Sequence, residues 1–439
     1  MTDYTRREIP NEKDPGNLAK YSELTQTLLL ARGINTAEAA EVFFAPEYER
    51  DLHDPFLMKG MDKTVKRILK AIDKKEKIVI YSDYDADGVP GGAVLYDFFK
   101  KIGYTNFSNY IPHRHLEGFG LNLEAVEEFE KDKVDLVITV DCGITDVEEA
   151  DRLKEHKIDL IVTDHHLPGE KLPKAVAILD AKQTDCEYPN KNICGAGVAF
   201  KLVQALIKSR DFGLKAGWEK WLLDLVGIAT VSDMVALTGE NRALAYFGLK
   251  VLRKTPRPGL RKLFQRLKID PENITEDDIG FSIAPRINAA SRLGDPEDAF
   301  KLLVAGSEVE GDRAAELLEK LNTERKSLVA VLSKEVKKII EERYSGNSRR
   351  SVIVIGRPDW RPGLLGLAAN AVLDYHEGAV FLWGREGGET GLLKGSCRSN
   401  GVSVVELMKR VPKEVLADFG GHSVSGGFSI SSETVHKLE

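Results

Sequence analysis

The sequence predicts an α/β fold, in which a doubly wound, mostly parallel sheet is joined by a long helix to a smaller α/β domain. Three short apolar runs, at residues 78–81, 134–140 and 160–162, each stop just before aspartate or histidine. The amphipathic stretches 93–102 and 146–156 follow the first two runs, which is the alternation of βαβ units. Because sites in such sheets lie at the carboxyl ends of the strands, the polar residues after each run mark a candidate site.

The remainder of the chain predicts a helical block and then a second domain. A fourth strand is expected within 175–183, helices at 197–209 and 218–237, and one long charge-rich helix at 308–344. After the polar break 345–350, the strands 351–356 and 379–384 flank a helix at 363–375. We therefore predict a catalytic domain with an N-terminal extension and helical insert over 1–305, an interdomain helix over 306–346 and a C-terminal domain over 347–439.

Composition places the chain among ordinary globular proteins. Its 439 residues are 42% hydrophobic and 30% charged, and no run approaches the roughly 20 apolar residues of a membrane span. The first 15 residues lack the apolar stretch of a signal peptide, so we expect a cytoplasmic protein. Four scattered cysteines predict free thiols. The net charge of −7 argues against a broad basic face, so any DNA would bind locally.

The first acidic cluster is Asp83, Asp85 and Asp87. They alternate along a strand end, so their spacing of two places the three carboxylates on one side, and Gly88 permits a tight turn. Carboxylates this close repel one another unless cations lie between them, and oxygen ligands mixed with imidazole suit Mn²⁺ or Mg²⁺. A solvated acidic loop or a lone calcium loop is the alternative interpretation of this segment.

Two further strand ends favour the metal hypothesis. Asp141 follows the second apolar run, and Asp164, His165 and His166 follow the third. Five or more potential ligands would then meet at one sheet edge. Two metals held there would activate a hydroxide and stabilise a phosphoryl oxygen, the usual arrangement for phosphodiester hydrolysis.

These residues resemble the DHH phosphoesterase superfamily, which is named for the motif that stands here as Asp164-His165-His166. The resemblance covers about residues 75–430 and is specific to the RecJ-like exonucleases. Their motifs occur here in order as DYDADG, HRHLEGFGL, DCG, TDHH, GAGVAFKL, VSDMVALTGENR, APRINAASRLGD, GSCRS and FGGH. The resemblance implies a DHH domain followed by a DHH-associated domain with a GGH motif.

The resemblance also implies the metal ligands. Two Mn²⁺ or Mg²⁺ ions would be held by a set in which Asp141 bridges: Asp85, Asp87, Asp141, His165 and Asp233. Asp141, His165 and His166 form the expected catalytic group, with His166 facing the phosphate or supporting a ligand. Without the resemblance, Asp233 is a polar residue that breaks an apolar helix, and a helix cap is the alternative interpretation. Many relatives have histidine at the position of Tyr81, so we expect Asp83 or water to complete the set.

A second group of residues is implied to hold the DNA backbone and its terminal phosphate. These candidates are Arg114, Asn288, Arg292, Ser396, Arg398 and His422. Taken alone, each arginine is more simply explained as an ordinary surface residue. The sequence departs from the family at Ser291, usually glycine, and at Arg361-Pro362-Gly363, usually histidine and glycine. Many bacterial relatives continue into an OB-fold, so we expect either a shorter relative or an incomplete sequence.

The expected function is that of a single-stranded-DNA-specific 5′-to-3′ exonuclease in DNA repair and recombination. We expect a monomer that binds single-stranded DNA and does not associate with a membrane. A single-strand-binding protein and a recombination helicase are the expected protein partners. The alternative keeps the chemistry but makes the substrate an oligonucleotide or cyclic dinucleotide. A non-catalytic binding module is a third hypothesis, which the presence of every candidate ligand disfavours.

Overall fold

The computed structural model describes residues 18–343, 350–385, 392–412 and 414–438. The chain forms two compact units. The first unit contains residues 18–112, 119–285 and 300–315, and the second contains 113–118, 286–299 and the described part of 316–439. The predicted domain boundaries stay predictions, and the first 15 residues and most of the polar break 345–350 lie outside the described residues. Within the described ranges, every helix is too short or too polar to cross a membrane.

Ten strands and seventeen α-helices make up the described chain. The strands are β1 (Ile78–Ser82), β2 (Phe107–Tyr110), β3 (Leu136–Val140), β4 (Asp159–Thr163), β5 (Ala177–Leu179), β6 (Val352–Gly356), β7 (Ala379–Gly384), β8 (Leu392–Ser399), β9 (Leu416–His422) and β10 (Ser425–Ser431). The helices are α1 (Glu23–Leu30), α2 (Ala37–Phe44), α3 (Tyr48–Asp51), α4 (Met61–Lys74), α5 (Gly88–Lys101), α6 (Leu123–Lys131), α7 (Val147–Glu155), α8 (Gly195–Ser209), α9 (Leu223–Ser232), α10 (Gly239–Leu252), α11 (Pro258–Leu267), α12 (Glu276–Asp278), α13 (Ala284–Leu293), α14 (Glu297–Val304), α15 (Glu308–Arg343), α16 (Pro362–Leu373) and α17 (Val404–Lys409).

The first unit is built on a parallel five-stranded sheet in the order β2-β1-β3-β4-β5. The predicted doubly wound α/β fold is therefore confirmed. From β1 the chain continues to β2 on one side of β1 and then returns to β3 on the other side. The strand order therefore reverses between β1 and β3. A reversal of this kind opens a crevice at the carboxyl ends of the two strands, and the first two acidic motifs follow these strands.

Both faces of this sheet are covered by helices, as a parallel sheet requires. On one face, Val79 and Val137 pack with Phe129 of α6 and Leu153 of α7 in a common apolar core. On the other face, α5 contacts β1 and β3, and α8 contacts β3 and β4. The buried helices fix the positions of the loops that leave the strands.

The second unit contains a mixed sheet in the order β6-β7-β8-β10-β9. Strands β6 and β7 are parallel, and the remaining pairs are antiparallel. Helix α16 packs with Ile355 and Leu382 of the sheet, and Leu332 and Val336 of α15 belong to the same core. The predicted smaller α/β domain is confirmed, although the antiparallel part of its sheet was not predicted in detail.

Several boundaries differ from those predicted. Strand β2 was missed because it is an edge strand with four partly or fully exposed residues, so it lacks an apolar run. The expected helix at 218–237 is a 3₁₀ turn, Trp218–Leu222, followed by α9, which ends at Ser232. It ends there because Met234 adopts the left-handed conformation, with φ of 57°. All four cysteines are free, as predicted, and all four are buried.

Helices α9 and α10 cross at a pair of glycines. A Cβ atom on Gly248 would lie 2.5 Å from the Cα of Gly227 and 2.8 Å from the backbone oxygen of Leu223. Both obstacles are backbone atoms, which cannot rotate away. The crossing therefore depends on the absence of side chains, and it holds the helix that leads to Asp233.

We predict that Gly248→Ala lowers the stability of the first unit by about 1–3 kcal/mol, because the added methyl group overpacks this crossing. The measurement is the midpoint of urea unfolding followed by circular dichroism. Gly280→Ala is the matched control, since a Cβ atom at that position would have nothing within 4 Å of it. Equal midpoints for Gly248→Ala and the wild-type chain would contradict this account of the crossing.

Candidate active site

The acidic motif after β1 is a loop and not the continuation of the strand. Strand β1 ends at Ser82, and one oxygen of Asp85 accepts hydrogen bonds from the backbone amides of Asp87 and Gly88, at 2.7 and 3.1 Å. This turn bends the chain into α5. The predicted period-two alternation is therefore wrong, because a side-chain acceptor closes a turn where the ladder would have continued.

The bend sends the three carboxylates in two directions. Asp83 and Asp85 group with Asp141, whereas Asp87 groups with His165 and Asp233. Gly88 allows this bend by its small size, since a Cβ atom there would lie 2.5 Å from the backbone oxygen of Asp83.

Asp87 is held by the amino-terminal end of α8. The backbone amides of Gly195 and Ala196 donate to its two carboxylate oxygens at 2.6 and 2.7 Å. The side chain is only 2% exposed. Unpaired amides and the dipole at a helix start both favour a negative charge, so this helix fixes the carboxylate in position.

Asp141 follows β3 in an unusual backbone conformation. Its φ is 64°, which few residues other than glycine adopt, although aspartate tolerates it. Its amide donates to the backbone oxygen of Thr163 at 2.9 Å, so β4 holds it in place. A Cβ atom on Gly195 would lie 2.6 Å from Asp141 Oδ1, so this glycine makes room for the carboxylate.

The motif after β4 is organised by its own aspartate. One oxygen of Asp164 accepts from the amides of His165 and His166 at 2.7 and 3.1 Å and lies 2.8 Å from His166 Nδ1. The other oxygen accepts from the amide of Ile144 at 2.9 Å. Asp164 therefore orients both histidines and is itself saturated with donors.

His165 is the centre of the cluster. Its Nε2 atom lies 3.0 Å from Asp141 Oδ1 and 3.6 Å from Asp87 Oδ2, and its Nδ1 atom lies 3.7 Å from Asp233 Oδ2. Asp233 is the residue that caps the carboxyl end of α9. The two interpretations of Asp233 are thus compatible, because the cap position delivers its carboxylate to His165.

Three groups of potential metal ligands lie in this region, and within each group one ligand atom from every residue lies within 4.8 Å of the others. The groups are Asp141-His165-His166, Asp87-His165-Asp233 and Asp83-Asp85-Asp141. Two of them share Asp141, and two share His165. Every residue predicted as a catalytic residue or metal ligand belongs to at least one group.

The carboxylates of the cluster raise the pKa values of one another. Burial and then the charge of Asp85 raise the pKa of Asp87 to about 6, although backbone donors oppose the shift. Burial and the charges of Asp87 and Asp85 raise the pKa of Asp233 to about 8. For Asp141, burial and four neighbouring carboxylates raise the pKa well above its ordinary value. Excess negative charge is concentrated here, and a cation would relieve it.

The donor set suits hard or borderline divalent cations. It combines carboxylate oxygens with imidazole nitrogen and includes no thiolate, which matches Mn²⁺ or Mg²⁺ better than a structural zinc site. Asp141 Oδ1 is buried and accepts no hydrogen bond from the described residues, even though His165 Nε2 is close. A cation bound between these two ligand atoms would satisfy both of them.

Tyr81 takes no part in the cluster. Its hydroxyl donates to the backbone oxygen of Gly120 at 2.7 Å and accepts from Asn122 at 3.0 Å. The ring packs on Tyr110 in the core. Asp83, by contrast, lies beside Asp85 and Asp141, and the three residues form one of the groups that could hold a metal ion.

Two residues at this edge were not predicted. Asp180 follows β5 and is fully buried, and burial raises its pKa to about 7. The same signal that marked the other strand ends, an acid after an apolar run, could have identified it. Phe119 is 49% exposed and packs edge-on against His166, with ring centroids 5.4 Å apart. No pattern in the sequence distinguishes it from a core phenylalanine.

The six predicted substrate-binding residues all belong to the second unit. Three of the four segments that carry them converge near the start of α16. Arg292 Nη1 donates to the backbone oxygen of Gly363 at 2.8 Å, and a Cβ atom on Gly366 would lie 2.8 Å from Arg398 Nη2. Burial and the positive charge of Arg114 lower the pKa of Arg398, so these two arginines are neighbours.

The other candidates are less defined. Asn288 lies on α13, Ser396 lies on β8 beside Arg398, and the side chain of His422 is outside the described residues. One departure from the family pattern, the segment Arg361-Pro362-Gly363, lies at this site. A Cβ atom on Gly363 would lie 2.6 Å from the ring of His115. The second unit thus brings together the three arginines that are predicted to bind phosphate.

Comparisons with known proteins agree with this description. Residues 77–230 match the DHH family, N-terminal domain, and residues 349–438 match the DHHA1 domain. The single-stranded-DNA-specific exonuclease RecJ of Bacillus subtilis is 38% identical over 94% of this chain and 51% of its own length. The crystal structure of Thermus thermophilus RecJ in complex with Mn²⁺ superposes with a TM-score of 0.78, at 30% identity, over 93% of this chain and 56% of that one.

The chain spans about half the length of these two relatives. The RecJ of Haemophilus influenzae is 33% identical over 98% of this chain and 74% of its own length. Sequence, domain order and fold agree from the acidic loop to the last strand, and the chain belongs to the RecJ family of DHH proteins.

Proposed function

We propose that this chain is a metal-dependent exonuclease that degrades single-stranded DNA from its 5′ end by two-metal phosphodiester hydrolysis. The observation that carries this proposal is the convergence of three ligand groups, which share Asp141 and His165, at the strand-order reversal of the parallel sheet. The names of the relatives, single-stranded-DNA-specific exonucleases, support the substrate. The Mn²⁺ bound by the Thermus protein supports the metal.

Asp83, Asp85, Asp87, Asp141, His165 and Asp233 would hold two Mn²⁺ or Mg²⁺ ions. Bound there, the ions would supply an activated hydroxide and neutralise charge on the phosphate. The protein fixes the ligands beforehand: α8 holds Asp87 through two amides, and Asp164 holds both histidines. Ligands that are locked in place lose little freedom when the cation binds.

His166 is proposed to act on the substrate side of the cluster. Burial lowers its pKa, but the hydrogen bond to Asp164 and the charges of Asp164 and nearby carboxylates outweigh burial and raise it to about 9. A charged imidazole beside the metal ligands can donate a hydrogen bond to a phosphate oxygen. Its side chain is 28% exposed, so that contact is open to a ligand.

In the second unit, Arg114, Arg292 and Arg398 are proposed to bind phosphate oxygens of the strand, together with Asn288, Ser396 and His422. Guanidinium groups make paired hydrogen bonds to phosphate, which suits this role. No carboxylate of the described residues forms an ion pair with Arg398, so its charge is available to a ligand. Single-strand-binding protein and a recombination helicase are proposed partners of a monomeric, cytoplasmic enzyme in DNA repair and recombination.

We predict stepwise release of 5′ mononucleotides from end-labelled single-stranded DNA in Mn²⁺, with duplex, RNA and dinucleotide substrates cut far more slowly.

Asp141→Asn should reduce the rate at least about 100-fold, as loss of a catalytic group does. Asparagine retains the size of the side chain and tolerates the left-handed backbone, so the fold is preserved. Full activity in Asp141→Asn, or cleavage confined to dinucleotides, would contradict the proposal.

We predict that Gly195→Ala weakens Mn²⁺ binding by about 10–100-fold, the usual effect of disturbing groups that support metal ligands. The new methyl group would meet the Asp141 carboxylate and displace the amide that holds Asp87. Mn²⁺ affinity is measured by calorimetry. Gly197→Ala in the same helix is the control, because its methyl group would meet the Ile193 side chain instead. Equal effects of the two variants would refute a specific role for Gly195.

We predict that Arg398→Gln weakens single-stranded DNA binding for all sequences and reduces the slope of log affinity against log salt by about 1, since one phosphate contact is lost. Binding is measured by fluorescence anisotropy in the Asp141→Asn background, where the DNA stays intact. Arg357→Gln is the control, because that arginine is 50% exposed and paired with Glu335. An unchanged salt slope in Arg398→Gln would remove this residue from the phosphate contacts.

A further inference from the structure

The first unit contains a cavity far from the metal cluster. Its volume is about 610 Å³, within the range of small-molecule sites. Lys100 and Lys101 at the end of α5, the indoles of Trp218 and Trp221, and the start of α9 line it. Helix α5 begins at Gly88, beside the cluster, and Asp97 and Lys100 of the cavity lie about 14 and about 18 Å farther along this helix.

The floor of the cavity is a buried ion-pair network. Arg257 Nη1 lies 2.7 Å from Asp97 Oδ2, and Arg257 Nε lies 2.9 Å from Asp224 Oδ2. Asp224 is completely buried and also accepts from the hydroxyl of Thr255 at 2.7 Å. Asp97 keeps 22% of its side chain exposed, so it can still accept a hydrogen bond from a ligand. A fixed acceptor therefore stands at the bottom of the cavity.

The rim has the opposite charge and an aromatic wall. Lys100 and Lys101 are exposed. The Lys100 ammonium lies 5.5 Å from the centroid of the Tyr96 ring, and its charge opposes the rise in the pKa of Asp97 that burial causes, so this lysine stands near the acceptor. Trp221 is 45% exposed, although a large indole is usually covered in a folded protein. Indole faces stack on nucleobases, and paired lysines attract phosphate.

We infer that this cavity is a second binding site, which takes a nucleoside 5′-monophosphate. The base would stack on Trp221 and Trp218, with an amino group donating to Asp97, and the phosphate would lie between Lys100 and Lys101. The choice of a 5′-monophosphate rests on the proposed function, because this is the product that the exonuclease would release. The base, its amino group and the phosphate are each matched by a different feature of the cavity.

Binding is tested on the full chain in EDTA, with dAMP as the probe and indole fluorescence excited at wavelengths where adenine does not absorb. We expect saturable quenching that disappears in Trp218→Phe/Trp221→Phe, which keeps the two tryptophans of the second unit. Lys100→Gln/Lys101→Gln should raise the dissociation constant about tenfold or more, whereas Lys74→Gln, a lysine in the last turn of α4, should not change it.

Several results would overturn the inference: no saturation, quenching that persists without Trp218 and Trp221, or equal affinity in the Lys100→Gln/Lys101→Gln variant. Competition by inorganic phosphate as strong as that by dAMP would reduce the cavity to an anion site and overturn the assignment to a nucleotide. Since no cleavage is involved in the measurement, a chain that binds dAMP but does not cut DNA would contradict only the proposed function.

Discussion

The mutual repulsion of buried carboxylates at one edge of the parallel sheet is the constraint on which the rest of this structure depends. Six aspartates and two histidines meet where strands β1, β3 and β4 end, and most of them are nearly inaccessible to water. Such a concentration of negative charge opposes folding unless it is offset. The fold offsets it with backbone amides at Asp87 and Asp164, and the remaining charge is what a divalent cation would neutralise.

The helices around the sheet serve this cluster. Helix α8 provides the amides that hold Asp87, and its glycine leaves space for Asp141. Helix α9 ends at the position that delivers Asp233, and the glycine crossing with α10 holds α9 in place. A doubly wound sheet brings the loops together, but the neighbouring helices decide the direction of each carboxylate. The second unit contributes none of these groups and instead gathers arginines around the start of α16.

Much of this arrangement could be predicted from the sequence, because apolar runs that stop at acids mark parallel strands and their carboxyl ends. The strands β1, β3 and β4 follow from such patterns, and the long helix α15 follows from its charge-rich amphipathic sequence. The path of residues 83–87 could not, since the turn depends on a side-chain hydrogen bond of Asp85 that competes with strand continuation. Nor could the edge strand β2, the roles of Gly195 and Ala196, or the exposure of Phe119, which depend on contacts between residues distant in sequence.

The central claim is that the shared ligands Asp141 and His165 mark a centre for divalent cations. Anomalous diffraction at the manganese absorption edge from crystals soaked in Mn²⁺ tests it most directly. The account predicts two anomalous peaks among Asp83, Asp85, Asp87, Asp141, His165 and Asp233. A second group of possible ligands, Glu127, Glu130 and His156, lies elsewhere in the same unit. Peaks only at that group, or no peaks at the sheet edge, would contradict the account.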